Sequence, residues 1–168
     1  LFYSLEKNAD AHIIEYSENL DGLDLYVSLC KEDIHIHSRL IGYFNAYNIL
    51  ASCLFGIIRQ IPIETIKRGI EGLESVPGRM ERIKNKKGYP VFVDYAHTPD
   101  ALSKAIGMLN RLKKGRLIVI FGCGGNRDTE KRPLMGNIAT TLADFVIITE
   151  KDHRRHKRRY KGRKLQGY

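Results

Sequence analysis

Two segments of the chain leave an apolar run, pass through a polar turn and enter a helix-like pattern. The first is residues 93–100 (VDYAHTPD) and the second is residues 121–128 (FGCGGNRD). In an open α/β sheet, ligands bind beyond the carboxyl ends of the strands. Two such loops, one with Asp and His and one with Gly and Arg, therefore predict a crevice for a phosphorylated or carboxylated substrate.

The first part of the chain predicts antiparallel strands followed by helices. Apolar and polar residues alternate over residues 11–16, 23–30 and 34–38, with turn residues at 19–22. Residues 45–58 predict a largely apolar helix with Asn45 as its N-cap. Pro62 is predicted in the first turn of the next helix, whose buried side is formed by Ile63, Ile66, Ile70 and Leu73.

The pattern changes after residues 75–78 (SVPG), which we interpret as an interdomain linker. Strands and helices then alternate, which predicts a parallel sheet with right-handed crossovers. Buried strands are predicted over residues 91–93, 117–121 and 145–149. Helices are predicted to begin at Pro99 and Pro133, and the side chains predicted to face inward from the second are Leu134, Ile138, Leu142 and Ala143.

The net charge of +9 comes almost entirely from the end of the chain. Residues 151–168 hold nine Lys and Arg and one Asp, so the other 150 residues carry only +1. A nucleic-acid role would thus depend on this tail, which has two aromatic residues and no known recognition motif. Cys30, Cys53 and Cys123 lack CxxC spacing, which favours free thiols in a reducing cytoplasm over a disulfide or a zinc site.

The individual motifs leave alternatives open. Residues 122–127 (GCGGNR) place Arg127 where a dinucleotide fingerprint requires Gly, and GxxxxGK[ST] is absent from the chain. Asp94 and His97 suit either a ribose or phosphate contact, or an Asx-turn with helix capping by His97 or Thr98. Arg127, Lys131 and Arg132 precede Pro133, where a basic loop suits an anionic ligand, with a solvated charged loop as the alternative.

Five segments together resemble the Mur ligase family of ATP-dependent amide ligases. They are residues 42–51 (GYFNAYNILA), 76–81 (VPGRME), 94–102 (DYAHTPDAL), 121–128 (FGCGGNRD) and 131–136 (KRPLMG). The resemblance implies an α/β fold with the rear part of a central Mur-ligase ATPase domain at residues 1–77. The first half of a Rossmann-like, parallel-sheet C-terminal domain would follow at residues 78–149.

The tail departs from the family. The segment resembling Asp-Asn-Pro-Arg that is expected after Thr149 is replaced by basic residues, so residues 150–168 are predicted to be an aberrant, disordered tail from a reading-frame error. The family's phosphate loop and Mg²⁺ ligands would lie upstream. We therefore expect the chain to be a fragment that is inactive alone.

The resemblance also implies an activity and a role for each site residue. A Mur ligase of this kind adds the third amino acid, diaminopimelate or lysine, to UDP-N-acetylmuramoyl-L-Ala-D-Glu in peptidoglycan synthesis through an acyl phosphate. Asn48 would contact the adenine of ATP beside Asn45, Arg79 the phosphates and Asp94 the ribose, with His97 at the same cleft. Arg127 would pair with a carboxylate of the incoming amino acid, and Lys131 and Arg132 would be further substrate-binding residues.

The remaining expectations concern partners and location. The substrates would be small molecules, the protein a cytoplasmic monomer, and neither membrane nor nucleic acid a partner. Two alternatives are a fragment of a folylpolyglutamate-type ligase and a non-catalytic binding module whose basic tail binds nucleic acid.

Overall fold

A four-stranded sheet forms the first part of the molecule. The computed structural model describes residues 2–4, 9–123 and 130–149. Strands β2 and β3 and strands β3 and β4 pair antiparallel, whereas β1 is parallel to β2. The antiparallel pairing predicted from the alternating pattern is confirmed for β2 (Ala11–Asn19), β3 (Gly22–Leu29) and β4 (Glu32–Ser38), whereas the parallel strand β1 (Tyr3–Ser4) lies outside the predicted strands.

The tight turn between β2 and β3 determines how closely β4 can approach. Asn19 Oδ1 accepts hydrogen bonds from the backbone N–H groups of Asp21 (2.7 Å) and Gly22 (3.2 Å). Gly22 has a φ of 157°, and a Cβ at this position would lie 2.1 Å from the carbonyl oxygen of Ser38. A glycine is therefore required where β4 leaves the sheet.

Two helices cover one face of this sheet, α1 (Phe44–Ile58) and α2 (Ile63–Glu71). Inward-facing residues of β2 and β3 pack against α1, and β4 lies against α2, which together form the first core. The prediction that Leu73 belongs to the buried side of α2 is wrong. That residue follows the end of α2 and is 41 % exposed. The buried members are Ala11, Ile13, Leu23, Leu25, Val27, Leu29, Ile36, Ala46, Ile49, Leu50, Cys53, Leu54 and Ile66.

The second part of the molecule contains two small sheets. Strands β5 (Glu81–Arg82) and β6 (Phe92–Val93) pair antiparallel. After helix α3 (Pro99–Leu112), strands β7 (Ile118–Phe121) and β8 (Phe145–Ile148) flank α4 (Lys131–Leu142). They pair parallel, which confirms the predicted β–α–β unit.

The prediction that residues 91–93 form a buried strand of the parallel sheet is wrong. The strand has only two residues, pairs with β5, and leaves Val93 46 % exposed. Pro90 precedes it and cannot donate a backbone hydrogen bond, and the turn at Asp94 ends it. The pairing segment is thus too short to add a full strand to β7 and β8.

Helix α4 begins two residues earlier than predicted. Lys131 and Arg132 lie in its first turn, so Pro133 is the third residue rather than the first. Proline is tolerated there because the first N–H groups of a helix have no partner within it. Of the side chains predicted to face inward, Ile138, Leu142 and Ala143 pack against the second core, which confirms them. The prediction for Leu134 is wrong, because it is 57 % exposed and Met135 is buried instead.

Helices α3 and α4 cover one face of the β7–β8 sheet. Leu102, Ile106, Met135 and Ala139 form the buried centre of this second core. Cross-strand neighbours occupy the opposite face and are exposed by 41 % to 65 % of their surface: Ile118, Phe145, Ile120 and Ile147. No helix in the described ranges is long and apolar enough to cross a membrane.

A third, smaller cluster joins the two parts of the molecule. Ile41, Met80 and Met108 are its buried members, and we refer to this cluster as the joint. Met80 is only 5 % exposed although its backbone has a φ of 45°, in the left-handed region. Polar contacts surround the joint: Arg111 lies 3.4 Å from Glu18, and Arg82 donates to the Leu20 carbonyl (3.2 Å) and pairs with Asp21.

Candidate functional site

Two turns that are distant in sequence are hydrogen-bonded to each other next to this joint. The backbone N–H of Tyr95 donates to the Gly78 carbonyl (2.8 Å), and the N–H of Met80 donates to Asp94 Oδ2 (2.9 Å). Asp94 Oδ1 accepts from the N–H of Ala96 at 2.8 Å, which is an Asx-turn. The carboxylate of Asp94 therefore holds both turns in place while remaining on an exposed residue.

Three side chains lie together on the outside of these turns. The Arg79 guanidinium carbon is 5.4 Å from the centre of the Tyr95 ring, and the Tyr95 and His97 rings are 4.9 Å apart. All three residues are exposed. We refer to Arg79, Asp94, Tyr95 and His97 as the turn cluster.

The His97 ring is oriented by its own backbone. Its Nδ1 lies 3.2 Å from the Tyr95 carbonyl oxygen. Because a carbonyl oxygen only accepts, Nδ1 carries the hydrogen, and Nε2 of the neutral ring is an acceptor.

Helix capping after the turn cluster is performed by Thr98. Its hydroxyl oxygen accepts from the N–H of Ala101 (3.2 Å), and Pro99 follows as the first helical residue. Of the two capping candidates, Thr98 rather than His97 is the N-cap. His97 is thus available to contact a ligand. For Asp94, the Asx-turn alternative is confirmed.

Asn45 and Asn48 form a hydrogen-bonded pair at the start of α1. Asn45 is buried, its Nδ2 donates to the Ile41 carbonyl (2.7 Å), and its Oδ1 accepts from Asn48 Nδ2 (3.0 Å). The prediction that Asn45 is the N-cap is wrong: the helix begins at Phe44, and the Asn45 amide bonds back to the chain before it. The bond orients the carboxamide of Asn48, which is an exposed residue.

The asparagine pair is connected to the turn cluster through the joint. Asn45 bonds to the carbonyl of Ile41, whose side chain packs in one cluster with Met80. Met80 in turn donates its N–H to Asp94. Candidate residues from the two parts of the chain are thereby linked by one short series of contacts.

The predicted substrate-binding residues are placed only in part. Arg127 lies outside the described residues. Lys131 and Arg132 lie in the first turn of α4, not in the loop before it, and Arg132 is exposed. The sequence analysis assigns no role to Tyr95, although its position between Asp94 and His97 indicates one.

A polar cleft of about 740 Å³ lies elsewhere, between the linker and the β5–β6 hairpin. Its walls include Arg39, Glu74 and Lys84, which pair with one another at 3.1 Å (Arg39–Glu74) and 3.3 Å (Lys84–Glu74). These ion pairs hold the pKa of the Glu74 carboxyl below its usual value, chiefly through the hydrogen bond from Lys84. No residue of the turn cluster lines this cleft.

Metal binding can be assessed for the described part of the chain. Over residues 2–4, 9–123 and 130–149, no group of three or more His, Cys, Asp and Glu side chains is arranged to hold a metal ion. Burial raises the pKa of the Cys53 thiol to about 11, so it stays protonated in the first core. We therefore assign no metal ligand to these residues.

Comparison with known proteins gives a consistent family assignment. The family described as "Mur ligase, glutamate ligase domain" matches residues 78–165. UDP-N-acetylmuramoyl-L-alanyl-D-glutamate–2,6-diaminopimelate ligases are similar to this chain: that of Solibacter usitatus is 42 % identical over 154 residues, covering 92 % of the chain and 31 % of the relative. That of Geobacter metallireducens is 48 % identical over 144 residues, covering 86 % and 28 %.

A solved structure with the same ligase name supports the assignment. It matches with a TM-score of 0.65 and 34 % identity, covering 87 % of this chain and 30 % of the other. The chain thus spans about a third of the length of the proteins it matches.

Proposed function

This chain belongs to the Mur ligase family, and from that premise we propose that it forms the nucleotide- and amino-acid-facing part of an ATP-dependent amide ligase. The reaction would join a third amino acid to UDP-N-acetylmuramoyl-L-Ala-D-Glu through an acyl phosphate. The observation that carries the proposal is the turn cluster, in which an Asp carboxylate and an Arg guanidinium project from two hydrogen-bonded turns.

Asn48 is proposed to recognise adenine. An Asn carboxamide offers a donor and an acceptor side by side, which matches the N6 and N7 edge of adenine. Asn45 Oδ1 accepts a hydrogen bond from Asn48 Nδ2, with 3.0 Å between the two atoms, and this bond fixes the orientation of the Asn48 carboxamide. Asn45 is therefore a support for the contact rather than a contact itself.

Asp94 and Arg79 are proposed to bind the ribose and the phosphates. The Asp94 carboxylate already accepts two backbone hydrogen bonds, and two carboxylate oxygens have room for further donors such as ribose hydroxyls. The Arg79 guanidinium carries the positive charge and the planar donors that phosphate oxygens require. His97 Nε2 provides an additional acceptor beside them.

The incoming amino acid is proposed to be diaminopimelate, because the relatives with 42 % and 48 % identity are both named for that substrate. Arg127, Lys131 and Arg132 would face its carboxylates. The same names favour the peptidoglycan ligase over the folate ligase, and we make no proposal for a nucleic-acid-binding module.

The other partners follow from this reaction. ATP would supply the phosphoryl group. The other substrates would be small molecules, and the protein would act as a monomer in the cytoplasm. Mg²⁺ would neutralise phosphate charge in such a reaction, and we propose that its ligands lie outside the described residues. The residues described here would bind and orient the nucleotide.

The test is the affinity of the chain for ADP and GDP, measured by calorimetry. Wild type is expected to prefer ADP, and Asn48→Ala is expected to lose about tenfold in ADP affinity with little change for GDP, since one paired base contact contributes about 1–3 kcal/mol. Asn137→Ala, an exposed Asn in α4, is the matched control. Equal ADP affinity in wild type and Asn48→Ala would contradict the adenine contact, and absence of ADP binding by wild type would contradict the nucleotide site.

A further inference from the structure

We infer that Tyr95 is a positioning residue for Arg79: its ring holds the guanidinium in the orientation from which the phosphates would be bound. The inference rests on the proposed function for the identity of the ligand. The contact between the two side chains does not depend on the identity of the ligand, because it lies within the protein: the Arg79 guanidinium carbon is 5.4 Å from the centre of the Tyr95 ring.

The Arg79 side chain has little else to hold it. The residue is exposed, and in the described part of the chain it makes no ion pair with a carboxylate. An unsupported arginine samples many rotamers, and ordering it on binding costs free energy. A cation over an aromatic face is attracted by the ring's electrons, so the Tyr95 ring reduces that cost before any ligand arrives.

The backbone brings the ring to the guanidinium. Arg79 donates its N–H to the Val76 carbonyl (3.0 Å), and the next residue, Met80, is bonded to Asp94. Tyr95 donates its own N–H to the Gly78 carbonyl (2.8 Å), one residue before Arg79. Both Cα positions are therefore fixed on paired turns, and only the side chains remain to be ordered.

The Tyr95 ring has no comparable role in the core. It is 58 % exposed, and its ring contacts are with Arg79 and His97. A large aromatic side chain at such a position contributes little to stability through burial. Its removal should change the behaviour of Arg79 more than it changes unfolding.

The first arm of the test needs no nucleotide. Ring currents shift the NMR signals of protons above an aromatic ring upfield, so the Arg79 side-chain signals should be shifted in the wild-type chain. The shift should persist in Tyr95→Phe and disappear in Tyr95→Leu. Tyr89→Leu is the matched control, because Tyr89 is similarly exposed, at 59 %, and lies outside the turn cluster. Arg79 signals that are the same in Tyr95→Leu and wild type would overturn the inference.

The second arm measures ADP affinity by calorimetry. Tyr95→Leu should weaken binding about two- to fivefold, the range of an exposed cation–π contact, with Tyr95→Phe close to wild type. In an Arg79→Ala background, Tyr95→Leu should have no further effect. A full additional loss in that background would mean that Tyr95 acts through His97 or on the base, and would overturn the inference. Failure of the wild-type chain to bind ADP would overturn the proposed function, while the NMR arm would still decide the positioning role.

Discussion

Residues 9–75 and residues 78–149 are stabilised in different ways. The first region closes a sheet with two helices over a core in which Leu23, Leu25, Val27, Leu29 and Ile36 are fully buried. The second has a smaller buried centre, and one face of its parallel sheet leaves side chains such as Ile120 (65 %) exposed. An uninterrupted apolar strand is typical of a sheet covered on both faces, and the described residues cover only one.

The second region instead uses polar side chains that bond to backbone groups. Asp94 accepts from Met80 and Ala96, Thr98 caps α3, and Asp144 accepts from the N–H of Leu117 at 2.7 Å. Such bonds can fix a turn whose side chains remain exposed, which core packing cannot do. The comparison indicates that the region carrying most of the candidate ligand contacts is held by hydrogen bonds from backbone N–H groups to polar side chains, and the first region by burial.

The largest effect is expected from removing a core side chain. Leu25→Ala should lower the free energy of unfolding by about 3 kcal/mol, because it leaves a cavity in a fully buried site. Ile120→Ala, at an exposed site of the second region, should cost about 0.5 kcal/mol. Urea unfolding followed by circular dichroism measures both. If the Ile120 variant lost as much as the Leu25 variant, the open face of the β7–β8 sheet would be buried in solution, and the comparison would fail.

A smaller effect is expected from removing the cap of α3. Thr98→Ala should cost about 1 kcal/mol, because the N–H of Ala101 loses its acceptor. Thr98→Ser keeps a hydroxyl at the same place and should stay close to wild type. Urea unfolding of the two variants checks this, and equal losses would show that the methyl group, not the hydrogen bond, matters there.

The smallest effect is a stabilising contribution of Asp144 that should be lost at low pH. The hydrogen bond from the Leu117 N–H, followed by that from Lys113, holds the pKa of Asp144 below its usual value of 3.8. A depressed carboxyl pKa stabilises the folded state above the usual value, and the contribution is lost as the pH falls through the folded-state pKa. The stability difference between wild type and Asp144→Asn should therefore be constant near neutral pH and shrink below about pH 4. A difference that is independent of pH down to acid would contradict this role.

Local patterns predicted much of the fold. Alternation located β2, β3 and β4, and the Thr-Pro pair located the start of α3. The parallel pair β7 and β8 followed from the alternation of strand and helix. Each of these features can be predicted from residues that lie close together in the sequence, because within each segment the apolar residues keep one spacing.

The errors arose where contacts distant in sequence decide the structure. Residues 92–93 pair with β5 because of the turn bonds at Asp94, which cannot be read from an apolar triplet. The Asn45 error is an exception that depends on a near neighbour: α1 begins at Phe44, so the Asn45 amide lies inside the helix and bonds to the Ile41 carbonyl four residues earlier. The ligand roles of Asn48, Arg79, Asp94, His97, Lys131 and Arg132 remain predictions from the resemblance, as does that of Arg127 outside the described residues.

Met80 is subject to two opposing requirements. Its backbone angle of 45° is one that glycine adopts most easily, whereas the space it fills between Ile41 and Met108 requires a long apolar side chain. Glycine would relax the main chain and empty the contact, and any large residue would fill the contact and keep the unfavourable angle. No substitution at this position therefore improves both the backbone angle and the packing, so the connection between the two halves depends on an apolar side chain held at an unfavourable angle.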